Sequence, residues 1–495
     1  MSKQKIRSNK KKLKQKTKQK LFLEGNLYKA LLILVIPIAL TNIAFQVIPK
    51  NIDLFTSVRR PEGSEKFTDS LAIISSVQNI FSFIGFSLAT ASIVLIEKEY
   101  TKNNFKTAQK MIKKTLVSII VIACTIALTA VFIGSPILHR ALSGMEEKVF
   151  KTVHKYYIFL IISGILMAVN TVLLGLERVR GNIKIIYISN ALFVFFKVSI
   201  NLLFIYTIDL QDPYWLGVST ALSSFLVTIF LVILFSISLK KNKYELTDSV
   251  KIKNAKNNNF KNILKLALPI LGGKIIYEGG RLIVLIIGWN IYPSGSLSAV
   301  QLGDGIATIG LNFGFALEEA QLSIISANLA NKNIKRTFET IKKTLLLNII
   351  LGFFFTMIFY FFGTDLYELI KGFKSKLKGR KKNQFQLGIM IASISGFYTV
   401  VTQGILIRSM IPFKKPHIDI FFASLRVFLR IYFIVILGFS MLSPWNKYNN
   451  QDYSWKGYHF ANLTANIILL LSVSSYFYFK FYKNIQKNGF EGMKL

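Results

Sequence analysis

Polar residues along this chain gather into short clusters, and between them run apolar stretches of roughly 20 to 30 residues, the length a tilted helix needs to cross a hydrocarbon core. Six are predicted as helices at Tyr28–Phe55, Leu71–Ile96, Thr115–Leu138, Tyr156–Leu176, Ile183–Ile208 and Trp215–Leu239. Six more follow at Ile263–Trp289, Leu297–Asn328, Thr344–Phe362, Leu387–Ile407, Ile418–Leu437 and Leu463–Phe481. Barrel strands would be shorter and would alternate apolar with polar residues, which these runs do not.

The two sets carry a common register. GFSLATAS at Gly85–Ser92 returns as GFALEEAQ at Gly314–Gln321, and IKKTL at Ile112–Leu116 returns at Ile341–Leu345, both offset by 229 residues. The same offset lays Lys197-Val198 on Arg426-Val427 and Phe204-Ile205 on Phe433-Ile434. A chain this rich in Lys, Ile, Leu and Phe matches itself by chance, so the argument rests on the shared offset. The predicted fold is all-α, a polytopic membrane protein of about twelve transmembrane helices in two pseudo-symmetric six-helix lobes. The expected segments are a basic cytoplasmic tail at 1–26, an N-terminal lobe at 27–239, a cytoplasmic linker at 240–262, a C-terminal lobe at 263–482 and a second basic tail at 483–495. Duplicated bundles of this kind are typical of carriers, whose site lies between the halves.

Six crossings return each half to its starting side, so the repeats are parallel and both termini share a side. That side collects the N-terminal tail, Lys98–Lys114, Arg178–Lys184, the linker, Lys332–Lys343, Arg408–Lys415 and Lys480–Lys494. Basic loops of multi-pass proteins lie inside, which predicts a cell-membrane protein with cytoplasmic termini. One loop disagrees: Lys371, Lys374, Lys376, Lys378, Arg380, Lys381 and Lys382 fall on the outer side, unless the crossings between Thr344 and Ile407 are miscounted.

Composition agrees with a membrane protein: 52% of the 495 residues are hydrophobic, more than one soluble core would use. Lys and Arg number 62 against 24 Asp and Glu, and the tail Met1–Lys20 holds ten cations and no acid. Its expected partner is the anionic face of the lipid bilayer, at about 1 kcal/mol per charge, and no nucleic acid. The first span is too long for a signal-peptide core and is expected to remain as an anchor. Cys124 is the sole cysteine, so disulfide frameworks and thiol metal clusters are excluded within the chain. His139, His154, His417 and His459 are scattered, and HExxH, GxSxG and phosphate-loop motifs are missing, which argues against an enzyme or an ATP-driven pump. A monomer acting on a small-molecule substrate is expected, with no cofactor or metal centre.

The sequence resembles the multidrug and toxic-compound extrusion (MATE) family from Leu27 onward. The likeness rests on LLILVIPIAL and ILKLALPILGG, which place Pro37 and Pro269 early in the first and seventh helices. It rests also on GFSLATASIVLIEKEY and GFALEEAQLSIISANL, each followed by a polar turn and a basic helix start, and on LLGLERVRGNIKIIYISNALFVFFKVSINLLFIY. The same spacing is shared with flippases for lipid-linked sugars. The resemblance implies a carrier coupled to proton or sodium entry, with the ion held by a first-helix carboxylate, here Asp53, and fifth-helix amides or acids, or by a seventh-helix Glu, here Glu278. The fifth helix departs from that pattern, offering Lys197 and Asn201. The tenth carries no acid.

Ionisable groups inside a bilayer cost a few kcal/mol and persist mainly where they pair or line a wet cavity. The candidates for ion coupling or substrate binding are therefore Asp53, Glu278, Lys197, Asn201, Arg426, Arg430 and Glu318. By helical rise Glu278 and Arg430 lie at similar heights, while Arg426 sits one turn lower, near Glu318 and Glu319. Asn201 matches the height of Asp53, and Lys197 would have to reach outward. Adjacent Glu318 and Glu319 point about 100° apart, so one of them is expected to be structural. The plain alternative for all these charges is structural ion pairing or snorkelling to the head groups. The expected function is an efflux antiporter exporting small amphipathic or cationic compounds by alternating access. The alternative is a flippase for an anionic lipid-linked precursor, which the fixed cations would suit.

Overall fold

The computed structural model describes residues 21–49, 52–53, 64–101, 105–141, 146–179, 182–204, 208, 212, 214–243, 259–291, 296–371, 380–413, 415–439 and 454–488. Expectations for the N-terminal tail through Lys20, the linker at 244–258, the loop at 372–379 and the last seven residues lie outside the described residues. All elements among the described residues are helical.

The N-terminal half contains α1 (Leu27–Asn42, continued by a π turn at Ile43–Val47), α2 (Ser64–Thr101), α3 (Phe105–Thr129, continued through Ala141), α4 (Glu147–Val179), α5 (Ile183–Leu202) and α6 (Trp215–Lys243). The C-terminal half contains α7 (Asn259–Ile291), α8 (Ser296–Ala330), α9 (Ile334–Lys371), α10 (Arg380–Ile394, continued to Ser409), α11 (His417–Phe433, continued to Phe439) and α12 (Ser454–Ser475, continued to Asn488). Several helices run past the apolar edges at which hydropathy stops. Thus α9 ends at Lys371 rather than Phe362, because Leu, Glu and Lys favour helix in water as well as in lipid. The two helices α9 and α10 account for Thr344 to Ile407, in line with the number of spans expected there.

Packing repeats with the sequence. In the first half α2 packs on α4, α4 on α6, α5 on α6 and α1 on α5; in the second, α8 packs on α10, α10 on α12, α11 on α12 and α7 on α11. A Cβ on Gly85 would lie 2.6 Å from the Ala168 carbonyl oxygen of α4, and one on its repeat partner Gly314 would lie 2.8 Å from Val401 of α10. The absent side chain is what lets each pair of helices cross closely. The outer stripe repeats too. Val117, Ile120, Val121, Phe132 and Ile133 of α3 and its continuation are exposed, and so are Leu346, Ile349, Ile350, Phe361 and Phe362 of α9, each 229 residues on. A large apolar stripe left open on each lobe is the face a bilayer covers.

Nine helices among the described residues are long and apolar enough to cross a membrane by length and composition. At the seam between the lobes α1 lies on α8, and α2 on α7 and α8. The seam is apolar along α1, where Leu27, Leu31, Leu34, Val35 and Ile38 meet Ala316, Leu317, Ala320, Ile324 and Ala327 of α8. Small residues on α8 bring the two backbones close. The α8–α9 turn then clasps the start of α1: Asn328 Nδ2 donates to the Phe22 carbonyl at 3.2 Å, and Arg336 donates to the carbonyls of Phe22, at 2.9 Å, and Gly25. That turn needs Lys332 in the left-handed region at φ 58, from which Asn333 N returns to Asn328 O at 2.9 Å.

Candidate functional site

Two groups of buried charge lie inside the helices, one within the N-terminal lobe and one at the seam. The first is built on α5 and α6. Phe195, Val198 and Leu202 of α5 face outward, which turns Lys197 and Asn201, one turn apart, into the lobe at 0% and 3% exposure. Opposite them α6 presents Ser219, Thr220, Ser223 and Ser224, all buried, each hydroxyl also satisfied by a carbonyl three or four residues back.

Lys197 Nζ ends among oxygens. It lies 2.6 Å from Asp53 Oδ1, and donates to Ser219 Oγ at 2.7 Å, Thr220 Oγ1 at 2.6 Å and the Leu216 carbonyl at 3.0 Å. Tyr156 of α4 donates its hydroxyl to Asp53 Oδ2 at 3.0 Å, and Ser219 donates to Asn201 Oδ1. Lys197 thus spans the extra turn that its height required. A carboxylate, two hydroxyls and a carbonyl are hard oxygen ligands of the kind that bind a small cation. Here the chain's own ammonium holds them.

The second group gathers residues of α7, α8, α10 and α11. Arg408 Nε of α10 binds Glu318 Oε2 at 2.8 Å, and both side chains are buried. Gly404 makes room for that carboxylate, since a Cβ there would lie 2.2 Å from Glu318 Oε1. Arg426 of α11 donates to Gln403 Oε1 and stacks over the Tyr277 ring of α7, 5.2 Å from its centroid. Lys274 of α7 lies in the field of Glu318, Asp419, Arg408 and Arg426. Its ammonium crosses the seam to sit 5.0 Å from the Phe83 ring centroid of α2, and the Arg408 guanidinium sits 4.3 Å from that of Phe86. One further ion pair joins the lobes directly, Arg178 Nη1 of α4 to Glu319 Oε2 of α8 at 3.0 Å. A cavity of about 30 Å³ beside it, lined in part by Pro37, Phe86, Arg178 and Glu319, has room for one water molecule.

The candidates from sequence therefore separate. Asp53, Lys197 and Asn201 come together. Glu318 and Arg426 join the seam group, with Arg430 acting on Arg426 electrostatically. Glu278 is buried and its ion pair runs to Arg281, one turn along the same helix, at 3.7 Å. The adjacent glutamates divide, Glu318 to its own lobe and Glu319 across the seam. Sequence reasoning passed over Tyr156, Lys274, Arg408, Asp419 and Arg178. Lys274, within LGGKIIYEGG, carried the plainest signal, a cation four residues before Glu278 in the middle of a predicted membrane span.

The MatE family model matches residues 37–206 and 269–407, and its two matched stretches begin at Pro37 and Pro269. A comparison with curated proteins yields no match. Among solved structures, the chain superposes on the outward-facing conformation of a multidrug resistance MATE family transporter of the MOP superfamily with a TM-score of 0.72 at 14% identity, covering 95% of this chain and 99% of that one. A variant of the Vibrio cholerae MATE transporter VcmN gives 0.72 at 14% identity, covering 94% and 98%. A MOP superfamily transporter from Pyrococcus furiosus, described by the reverse polarity of its binding pocket, gives 0.68 at 14% identity, covering 92% and 97%.

Proposed function

Because the chain belongs to the MatE family of membrane transporters, whose model matches more than half of it, we propose that it is a secondary active carrier exporting small amphipathic compounds by alternating access, coupled to proton entry at Asp53. The observation that carries this reading is the set of four oxygens around Lys197 Nζ at 2.6 to 3.0 Å. A sodium ion would need the same oxygens and would meet the ammonium's charge at contact distance. A proton does not need them. It adds to the Asp53 carboxylate, abolishes the attraction to Lys197, and leaves the ammonium held by Leu216, Ser219 and Thr220. The tie from Asp53 to α5 and α6 is then weakened, and the balance between the carrier's two open states shifts.

A second reading, movement of an anionic lipid-linked precursor, is favoured by one observation. At the seam the cations Lys274, Arg408 and Arg426 outnumber the carboxylates Glu318 and Asp419. The Pyrococcus furiosus transporter of similar fold is described by the reverse polarity of its binding pocket and a different function, which supports weighing this reading.

Substrate-dependent flux in reconstituted vesicles tests the coupling. A pH gradient drives transport by the wild type, a sodium gradient at equal pH does not, and Asp53→Asn loses the response to pH. Sodium-driven transport at constant pH would overturn the assignment.

A further inference from the structure

We propose that the seam group is a binding site for an amphipathic anion, an oxyanion head group (phosphate or carboxylate) carried on an apolar body. The inference rests on the carrier reading above and names the substrate class that its site accepts. Three observations converge on it.

The first is charge. Of the five ionisable groups that act on one another here, Lys274, Arg408 and Arg426 are cationic and Glu318 and Asp419 anionic, so the group carries one positive charge more than it balances. Arg430 adds to the field at Arg426. An unbalanced cation at membrane depth is costly, and a bound anion removes that cost.

The second is unused hydrogen-bonding capacity. Arg408 is 6% exposed and its Nε is taken by Glu318, yet its Nη1 is buried with no hydrogen-bond partner among the described residues. Arg426 spends one amino group on Gln403 while its Nε, also buried, has none. No hydrogen bond or ion pair to Lys274 Nζ occurs among the described residues, and its neighbours are the Phe83 and Phe86 rings. Buried guanidinium N–H groups are ordinarily satisfied, and an oxyanion supplies the acceptors these lack.

The third is the surrounding surface. Phe83 and Phe86 come from α2 in one lobe, while Tyr277 and the cations come from the other. Aromatic faces beside the charges give an apolar body its contacts, and a ligand touching both lobes binds differently in the carrier's two states, which is what a transported substrate must do. A permanently cationic drug meets the opposite field.

The test uses the full-length protein in nanodiscs of phosphatidylcholine, titrated with 1-naphthyl phosphate, with a naphthyl quaternary ammonium of similar size, and with inorganic phosphate. The aryl phosphate binds more tightly than the quaternary ammonium, and inorganic phosphate, lacking the apolar body, binds more weakly. Lys274→Gln and Arg426→Gln each weaken the aryl phosphate by about tenfold or more, while Lys274→Arg retains binding. Phosphatidate doped into the nanodiscs displaces the aryl phosphate if a lipid head group is the source of the anion, and fails to if a soluble organic anion is; the proposal stands in both cases. Equal or tighter binding of the quaternary ammonium by the wild type overturns it, a result that needs no variant to fold. Unchanged affinity in a monodisperse Lys274→Gln variant overturns it as well. None of these readouts requires turnover, so loss of proton-coupled flux with binding intact would sink the coupling scheme and leave the anion site standing.

Discussion

Replacing Lys197 with Met, a side chain of similar bulk, removes an ammonium from a fully buried position and leaves Asp53, itself 2% exposed, with neutral partners, the Tyr156 hydroxyl at 3.0 Å, the Thr220 hydroxyl at 3.4 Å and the Asn201 side chain. Breaking a buried pair from one side costs about 3–5 kcal/mol, because the remaining charge is stranded. The reverse change is milder. In Asp53→Asn the ammonium keeps the Leu216 carbonyl, Ser219 and Thr220 at 3.0, 2.7 and 2.6 Å, so the loss is close to one charge-assisted hydrogen bond, about 1.5–3 kcal/mol. The double variant strands no charge, and Leu216 O still accepts from both hydroxyls. It should therefore be more stable than Lys197→Met alone, with a coupling energy of about 2–3 kcal/mol across the cycle. Reversible unfolding in mixed micelles, followed by Trp fluorescence, measures all four proteins. Additivity within about 0.5 kcal/mol would refute the ion pair as a thermodynamic unit, and greater damage from Asp53→Asn than from Lys197→Met would refute the view that the α6 oxygens hold the ammonium independently.

Two further predictions concern the seam. In a Cys124→Ser background, Arg178→Cys and Glu319→Cys placed together and joined by a bifunctional thiol reagent long enough to span the pair should hold the lobes closed at that point and stop transport. Flux with the cross-link demonstrably in place would show that this contact need not open during the cycle. Gly404→Ala puts a methyl group 2.2 Å from Glu318 Oε1 and so must push the carboxylate off Arg408. That frees guanidinium donors, weakens the fold by about 1–3 kcal/mol, and tightens aryl phosphate binding in the assay above; a looser aryl phosphate complex in a stable Gly404→Ala protein would mean that Glu318 orients Arg408 for the anion rather than competing with it.

The parts of the architecture visible in sequence were those that recur along one axis. Apolar length gave the crossings, and the 229-residue offset reappears in three dimensions as paired lipid-facing stripes, Val117 with Leu346 and Phe132 with Phe361, and as the paired close crossings at Gly85 and Gly314. Height along a helix is legible too, and it sets Arg426 near the level of Glu318 and Glu319. Azimuth is not. Glu278 and Arg430 share a height, yet the ion pair of Glu278 runs along its own helix to Arg281, and nothing in the hydropathy of α10 marks Arg408 as an inward charge. The same limit hid the meaning of Lys197, which reads as a departure from a cation site until Ser219 and Thr220 of the next helix are seen to surround it.

That departure connects the two charge groups. Lys197 and Arg426 occupy equivalent positions in the repeat, but the first ends on a carboxylate and three neutral oxygens inside its lobe, whereas the second ends on a neutral amide and an aromatic face at the seam. A duplicated bundle needs its coupling group to exchange a proton without losing its internal cation, and its substrate group to release what it binds. An ammonium with four close oxygens suits the first task, and a guanidinium with an unsatisfied Nε suits the second. On the proposed mechanism the two copies have divided the work, and the division follows from which helix supplies acceptors. The α6 hydroxyls neutralise Lys197's demand for partners. Arg426 has Gln403 and Tyr277 instead, and its remaining demand is what a substrate anion can meet.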